Sequence, residues 1–246
     1  MLRTFPPLFL LLGTLPLVAI RAQTGLVSPT TASGKADDRV LKAPYSAQRR
    51  FISIEKLADG TTRRSESGGS EARDSLGRTY SAGERHWTYM DNGRSVLKSE
   101  MLYRIHNPVS NTETSWDSTA KEAKVIHWPT NAPTWGAANS LSAFMATVPG
   151  TVVEKLGVRN IQGVGAEGTR STYAIGAQDK NGQALTVIHE SWYCPELKIT
   201  VLETNDDPRS GTTRNELVAI IRGEPDVAKY KPPADYAVQD MRPPVQ

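Results

Sequence analysis

The sequence predicts a mostly β fold, built as a single curved antiparallel sheet or an incomplete barrel with one or two short helices. Short runs of alternating polar and apolar residues recur along the chain, and turn-forming Gly, Pro, Asn and Asp separate them at regular intervals. That spacing is typical of antiparallel strands joined to their sequence neighbours. We expect one domain over residues 44–240, which is long enough to bury a core of its own.

The first 22 residues are typical of a cleavable signal peptide. Arg3 supplies a basic start, the stretch from Leu8 to Ile20 is apolar, and Ala22 is a small residue at the expected cleavage position. The apolar run is shorter than the roughly 20 residues that span a bilayer. We therefore expect no membrane span after cleavage, and a periplasmic or secreted location.

The composition of the chain argues against nucleic acid as a partner. The chain has 29 Lys and Arg against 26 Asp and Glu, and two of the basic residues lie in the predicted signal, so the mature chain is close to neutral. It lacks the basic patch that nucleic-acid binding requires. Residues 23–43, rich in small and polar side chains, predict a flexible spacer, and residues 241–246 predict a disordered tail.

The N-terminal half of the domain carries separated strand signals. Residues from Tyr45 to Leu57 alternate in polarity, and Asp59-Gly60 predicts a tight hairpin turn. A strand is expected from Thr79, another over Met101–His106, and a third over Lys124–Trp128.

The C-terminal half reads as a meander of six short strands. Leu156-Gly157 and the glycine-rich stretch from Gly165 to Gly168 are expected to be turns within it. The six strands expected are Val152–Leu156, Arg159–Val164, Thr169–Ile175, Leu185–Tyr193, Lys198–Thr204 and Asn215–Arg222.

The connection from Trp128 to Gly150 is apolar and lacks the alternation of a strand. A short helix is expected near Asn139–Thr147. A long apolar connection in a compact domain is either a packed cover or a lid that faces a ligand. On the second interpretation Trp135 and Phe144 contact the ligand.

Motif searches give no cofactor and no metal site. Gly163–Gly168 matches G-x-G-x-x-G, but a β-type run follows it where a dinucleotide site needs a helix. The four histidines show no ligand spacing, and Cys194 is the only cysteine. The stretch Asn205–Gly211 carries oxygen ligands for calcium, yet its order is ordinary turn chemistry.

One carboxylate stands out as a candidate. If Pro195-Glu196 is a two-residue hairpin loop, Glu190 and Trp192 share the more apolar face of their strand, which should point inward. A buried carboxylate must be paired or its pKa rises, and Arg170 on the preceding strand is the nearest partner. The pair is either structural or part of a ligand cavity.

Several short runs carry a resemblance to a family of secreted bacterial proteins of the acidobacterial type, to which no activity is attached. The runs are Leu156–Val164, Ala166–Arg170, Glu190–Tyr193, Asp207–Gly211, Glu224–Asp226 and Pro233–Tyr236. A looser analogy reaches the outer-membrane lipoprotein carriers, which end in a segment similar to Tyr230–Tyr236. Their fold, an incomplete barrel that shields lipid chains, implies export and a curved sheet here.

These observations favour a non-enzymatic binding or carrier-like protein for an apolar small molecule or lipid. Glu190, Trp192, Arg170, Trp135 and Phe144 are its candidate ligand contacts. One alternative is a secreted hydrolase that uses Glu190 as a buried carboxylate. Another is an envelope-associated structural protein that binds an envelope partner through an exposed sheet edge.

Overall fold

The computed structural model describes residues 40–129, 148–178 and 182–242. The expected signal peptide over 1–22, most of the spacer, the expected helix near 139–147 and most of the tail lie outside these residues. So do the candidate ligand contacts Trp135 and Phe144.

The N-terminal half forms six strands, each paired antiparallel with the next. Their order in the sheet follows their order in the chain. The strands are β1 (Tyr45–Lys56), β2 (Thr62–Arg73), β3 (Thr79–Asp91), β4 (Arg94–Asn107), β5 (Thr112–Asp117) and β6 (Glu122–His127).

The C-terminal half adds a second meander and one returning strand. Its strands are β7 (Val152–Ile161), β8 (Val164–Gln178), β9 (Ala184–Cys194), β10 (Ile199–Asp207), β11 (Gly211–Arg222) and β12 (Ala237–Met241). β11 pairs antiparallel with β1 and joins the two meanders, while β12 pairs parallel with β6. The result is one open sheet in the order β12-β6-β5-β4-β3-β2-β1-β11-β10-β9-β8-β7.

This architecture confirms the predicted fold class, a mostly β chain with a single curved sheet. Among the described residues the only helical segment is a 3₁₀ turn over Val227–Tyr230, capped by the Asp226 side chain, which accepts a hydrogen bond from the Ala228 amide. In this part of the chain there is no helix with the length and apolarity needed to span a membrane.

Two of the expected turns lie elsewhere. Leu156-Gly157 is a β-bulge inside β7, because the β7–β8 register shifts between Lys155 and Gly157. The real turn between these strands is Gln162-Gly163, where both residues have positive φ, as a two-residue hairpin requires. Gly165 to Gly168 belongs to β8 instead.

The loop after β9 is longer than the sequence predicted. β9 ends at Cys194 and β10 begins at Ile199, so four residues connect them. The register is therefore different from the expected one: Glu190 pairs with Thr204, and Trp192 pairs with Leu202 after a bulge in β10.

Two apolar clusters form the core, one centred in each half. The first includes Trp192 and Leu217 and the second Tyr80 and Trp116. The buried guanidinium of Arg73 bridges the halves, because it donates hydrogen bonds to the carbonyl oxygens of Ala43, at 2.9 Å, and of Leu197 in the loop after β9.

Candidate functional site

Glu190 and Arg170 form the ion pair that the sequence predicted, but on the exposed side of the sheet. The carboxylate lies 2.7 Å from the guanidinium, and the side chains of Arg170 and Glu190 are 39% and 25% exposed. Arg170 also contacts Glu154 of the edge strand at 3.3 Å. The expected inward side of β9 is borne out at Trp192 but not at Ile188, which is exposed, and Val187, His189 and Ser191 on the other side are buried.

Trp192 shares that side of β9 and is nevertheless buried in the C-terminal apolar cluster. Its ring lies across Gly168 of β8, where a Cβ atom would come within 2.6 Å of a ring carbon. The Arg159 guanidinium is 3.9 Å from the ring centroid. Trp192 is therefore held by packing, and the indole Nε1 has no hydrogen-bond partner among the described residues.

The sheltered side of the sheet, which we term the inner face, is lined by polar side chains. Paired residues of an antiparallel ladder point to the same face. One row of such pairs crosses five adjacent strands from β8 to β1. Its members are Ser171, His189, Asn205, Thr213 and Ser53. The first two are buried and the others half-buried, so the row has no large apolar side chain where a sheet core usually has one.

Glu203 stands at the centre of the next row of the inner face. This row runs through Ser191, Glu203, Asn215 and Phe51. The fully buried His189 lies diagonally opposite, and its Nε2 is 3.0 Å from a Glu203 carboxylate oxygen. The Glu203 side chain remains 24% exposed, so one carboxylate edge is held by the protein and part of the group stays open.

A buried ionic cluster borders Glu203. Arg49 donates from Nε to a Glu71 carboxylate oxygen at 2.6 Å and from Nη1 to Asn215 Oδ1 at 2.9 Å. The Tyr45 hydroxyl donates to the other Glu71 oxygen at 2.7 Å. Both members of the ion pair are nearly buried, with Arg49 and Glu71 side chains 11% and 7% exposed.

The pKa values of this cluster follow from burial and charge. Burial by itself would lower the pKa of Arg49, but the negative charges of Glu71 and, further away, Glu203 raise it above its ordinary value. Burial raises the pKa of the Tyr45 phenol well above its usual range, and the adjacent Glu71 carboxylate raises it further. The cluster therefore holds Arg49 as a cation and Tyr45 as a neutral donor.

Apolar side chains surround the polar rows of the inner face. Phe51 and Tyr173 are half-buried, Val187 is buried and Tyr193 is exposed. The arrangement can bind a molecule with a hydrogen-bond-donating end at Glu203 and an apolar remainder. Within the described ranges no three His, Cys, Asp or Glu side chains come together as a metal site.

Sequence reasoning missed His189, Glu203, Arg49, Glu71 and Asn215. The alternation of β9 did separate His189 from Glu190, but hydrophobicity assigned the fully buried His189 to the outward side. The other members come from strands far apart in the chain, since Arg49 and Asn215 are 166 residues apart, and no local pattern joins them.

Comparison with known proteins leaves the family open. No family model matches the chain, and no curated protein matches it. Among solved structures, MucB aligns with a TM-score of 0.35 at 8% identity over 83% of this chain, which spans 62% of the MucB chain. LprF from Mycobacterium bovis aligns with a TM-score of 0.34 at 12% identity, over 78% of this chain and 91% of that one.

A candidate outer membrane lipoprotein-sorting protein domain from Vibrio parahaemolyticus aligns with a TM-score of 0.30 at 8% identity, over 81% of this chain and 91% of the domain. By its name this domain belongs to the class with which the loose sequence analogy was drawn. The resemblance to the secreted bacterial family has no counterpart among these structures. TM-scores this low carry no argument about function, which must come from the site itself.

Proposed function

We propose that the protein is an exported, non-enzymatic binding protein that holds an amphiphilic, lipid-like molecule against the inner face of its sheet. The observation that carries the proposal is the polar inner face, with the half-open Glu203 carboxylate at its centre. Export rests on the signal-like residues 1–22.

A sheltered sheet face is ordinarily apolar, because burying polar groups without compensation is unfavourable. Here five adjacent strands present Ser, Thr, Asn, His and Glu on that face, and several of these side chains are only half-buried. A ligand site combines a few orienting polar groups with an apolar lining, and the inner face offers the half-open Glu203 beside the half-buried Phe51 and Tyr173.

The charges indicate which polar end fits. Two carboxylates, Glu71 and Glu203, stand near one guanidinium, Arg49, which already has Glu71 and Asn215 as partners. The group left to meet a ligand is Glu203, an acceptor. The site therefore favours a hydroxyl or ammonium end over a carboxylate or phosphate end, while Phe51 and the surrounding apolar side chains suit an alkyl or ring portion.

No observation favours the hydrolase alternative. Glu190 is engaged by Arg170, which also pairs with Glu154, and this group lies on the exposed face away from the polar rows. Such an arrangement is that of a surface ion pair, in which Arg170 neutralises Glu190.

Isothermal titration of the mature protein with three amphiphiles of equal chain length tests the proposal. Dodecylamine and dodecanol present hydrogen-bond donors, whereas laurate presents a carboxylate. We expect the first two to bind more tightly than laurate. Glu203→Gln should weaken dodecylamine binding by about 10- to 100-fold, since a hydrogen bond to a charged group contributes about 1.5–3 kcal/mol.

Glu190→Gln is the matched control, because it makes the same chemical change on the neighbouring strand, one residue pair along the ladder from Glu203 and on the opposite face. It should leave all three affinities unchanged. Equal binding of the three amphiphiles, or an equal effect of the two substitutions, would contradict a site at Glu203. Absence of any binding would exclude an amphiphile of this chain length as the ligand and remove the support for a carrier.

A further inference from the structure

The hairpin of β3 and β4 extends beyond the rest of the sheet. The β2–β3 ladder ends at the Gly69–Gly83 pair, and the β4–β5 ladder ends at Leu102–Asp117. Residues Arg85–Glu100, which we term the arm, therefore form ladder pairs only with each other. At about 3.3 Å per residue the arm's strands reach roughly 25 Å from the last shared ladder.

The arm is built to keep its shape. Its turn is Asn92-Gly93, with both residues at positive φ, 47° and 77°, the conformation that matches the twist of a two-residue hairpin. Near its base the Arg85 guanidinium binds the buried Glu100 carboxylate and lies 5.3 Å from the Trp87 ring centroid. The base is thus neutralised and the tip carries the remaining charge.

Apolar side chains lie on both faces of the tip. Met90 and Leu97 occupy one face and are 67% and 68% exposed. On the other face Tyr89 is 37% exposed, and its partner Val96 and Trp87 are half-buried. A two-stranded hairpin in water is marginally stable, and apolar side chains exposed on both of its faces do not stabilise it. The tip is therefore suited to an apolar environment that contacts both faces.

A lipid interface is such an environment, whereas a protein groove covers one face of a hairpin. Trp and Tyr concentrate at the boundary between headgroups and acyl chains. Between Trp87 and Lys98 the tip carries two cations, Arg94 and Lys98, against one carboxylate, Asp91. The Lys98 ammonium lies 5.0 Å from the Tyr89 ring centroid, beside the aromatic group that would sit at the interface.

We propose that the tip of the arm, Trp87–Lys98, inserts into the surface of an anionic lipid bilayer and docks the protein there. The hairpin lies along the surface, with the face of Met90 and Leu97 turned to the acyl region. The opposite face places Trp87 and Tyr89 at the boundary and Arg94 and Lys98 among anionic headgroups. This goes beyond ligand binding at Glu203 and uses none of the same residues.

Vesicle flotation with the mature protein tests the docking. We expect binding to phosphatidylglycerol vesicles and weaker binding to phosphatidylcholine vesicles. Met90→Ser with Leu97→Ser should lower the partition coefficient by about tenfold per side chain. The matched control is Val109→Ser with Val227→Ser, two exposed apolar residues outside the arm, which should leave partitioning unchanged.

A dye on the tip gives a second readout that does not depend on variant stability. Cys194 is fully buried, so an environment-sensitive fluorophore can be placed at Ser95→Cys, with Val109→Cys as the control position. The Ser95 probe should shift to the blue with phosphatidylglycerol vesicles and the Val109 probe should not. Equal shifts, no vesicle binding, or a dimer that the tip double substitution dissolves would each overturn the proposal.

Discussion

Replacing Glu71 by Gln removes the negative charge that faces Arg49 while it leaves the size of the side chain unchanged. The guanidinium is then held by the neutral Asn215 and the new amide, with Glu203 as the nearest remaining carboxylate. Both members of the pair are about nine-tenths buried, so solvent cannot compensate for the lost charge.

Removing one partner of a buried ion pair destabilises a protein by about 3–5 kcal/mol. The Gln side chain keeps one hydrogen-bond acceptor, so we expect a loss of about 2–4 kcal/mol in the free energy of unfolding. For a domain of this size that corresponds to a fall in Tm of roughly 5–12 °C. Urea denaturation followed by circular dichroism measures the first quantity and calorimetry the second.

Glu66→Gln is the matched control, because Glu66 pairs with Arg64 on the same strand with both side chains exposed. It should leave stability close to that of the parent. A double-mutant cycle with Arg49→Met then separates the Arg49–Glu71 coupling from other effects of each change. Equal losses for Glu71→Gln and Glu66→Gln, or a coupling energy near zero, would refute the expectation that the charge of Glu71 on buried Arg49 stabilises the fold.

Two further predictions follow from individual packing and titration. Because the pKa of Tyr45 is raised in the folded state, its stabilising contribution is present below the ordinary tyrosine pKa of about 10 and is lost as pH rises above it. Tyr45→Phe should therefore lessen the alkaline loss of stability measured by urea denaturation. Tyr89→Phe, on the exposed arm, should leave that loss unchanged. Gly168→Ala should lower the free energy of unfolding by about 1–3 kcal/mol and shift the fluorescence emission of Trp192, since the new methyl group meets the indole ring. Gly165→Ala on the same strand, where a Cβ atom meets nothing within 4 Å, should change neither quantity.

Local sequence patterns predicted the strands well and their faces poorly. Alternation located β1 and β9, and it identified the Arg170–Glu190 partnership, because these depend on neighbours in one hairpin or meander. The choice of inner face succeeded only in part on β9: Trp192 is buried as expected, but Ile188 on the same side is exposed and the other side buries His189 and Ser191. A hydrophobic pattern finds the sheltered face only when that face is apolar.

Two features of the fold were not predicted correctly: the length of the loop after β9 and the long β3–β4 hairpin. The sequence predicted a two-residue loop after β9, but the loop has four residues. The cross-strand partner of Glu190 in β10 is therefore Thr204 and not Val201. The arm was missed although Asn92-Gly93 is the strongest short-range hairpin signal, because its mixed polarity has no single buried face to mark the strands.

The polar cluster and the topology of the sheet depend on each other. Tyr45, Arg49 and Glu71 come from the first two strands, whereas His189, Glu203 and Asn215 come from β9 to β11, and the β1–β11 ladder brings them together. Neither meander can assemble this polar cluster alone, so the proposed ligand binding requires the long-range ladder to be complete. Well-packed apolar residues at Arg49 and Glu71 would give comparable stability without a demanding ionic geometry. The protein instead has a buried charged cluster beside the half-open Glu203. Stability explains this choice less well than the electrostatic environment that the cluster creates for the proposed ligand.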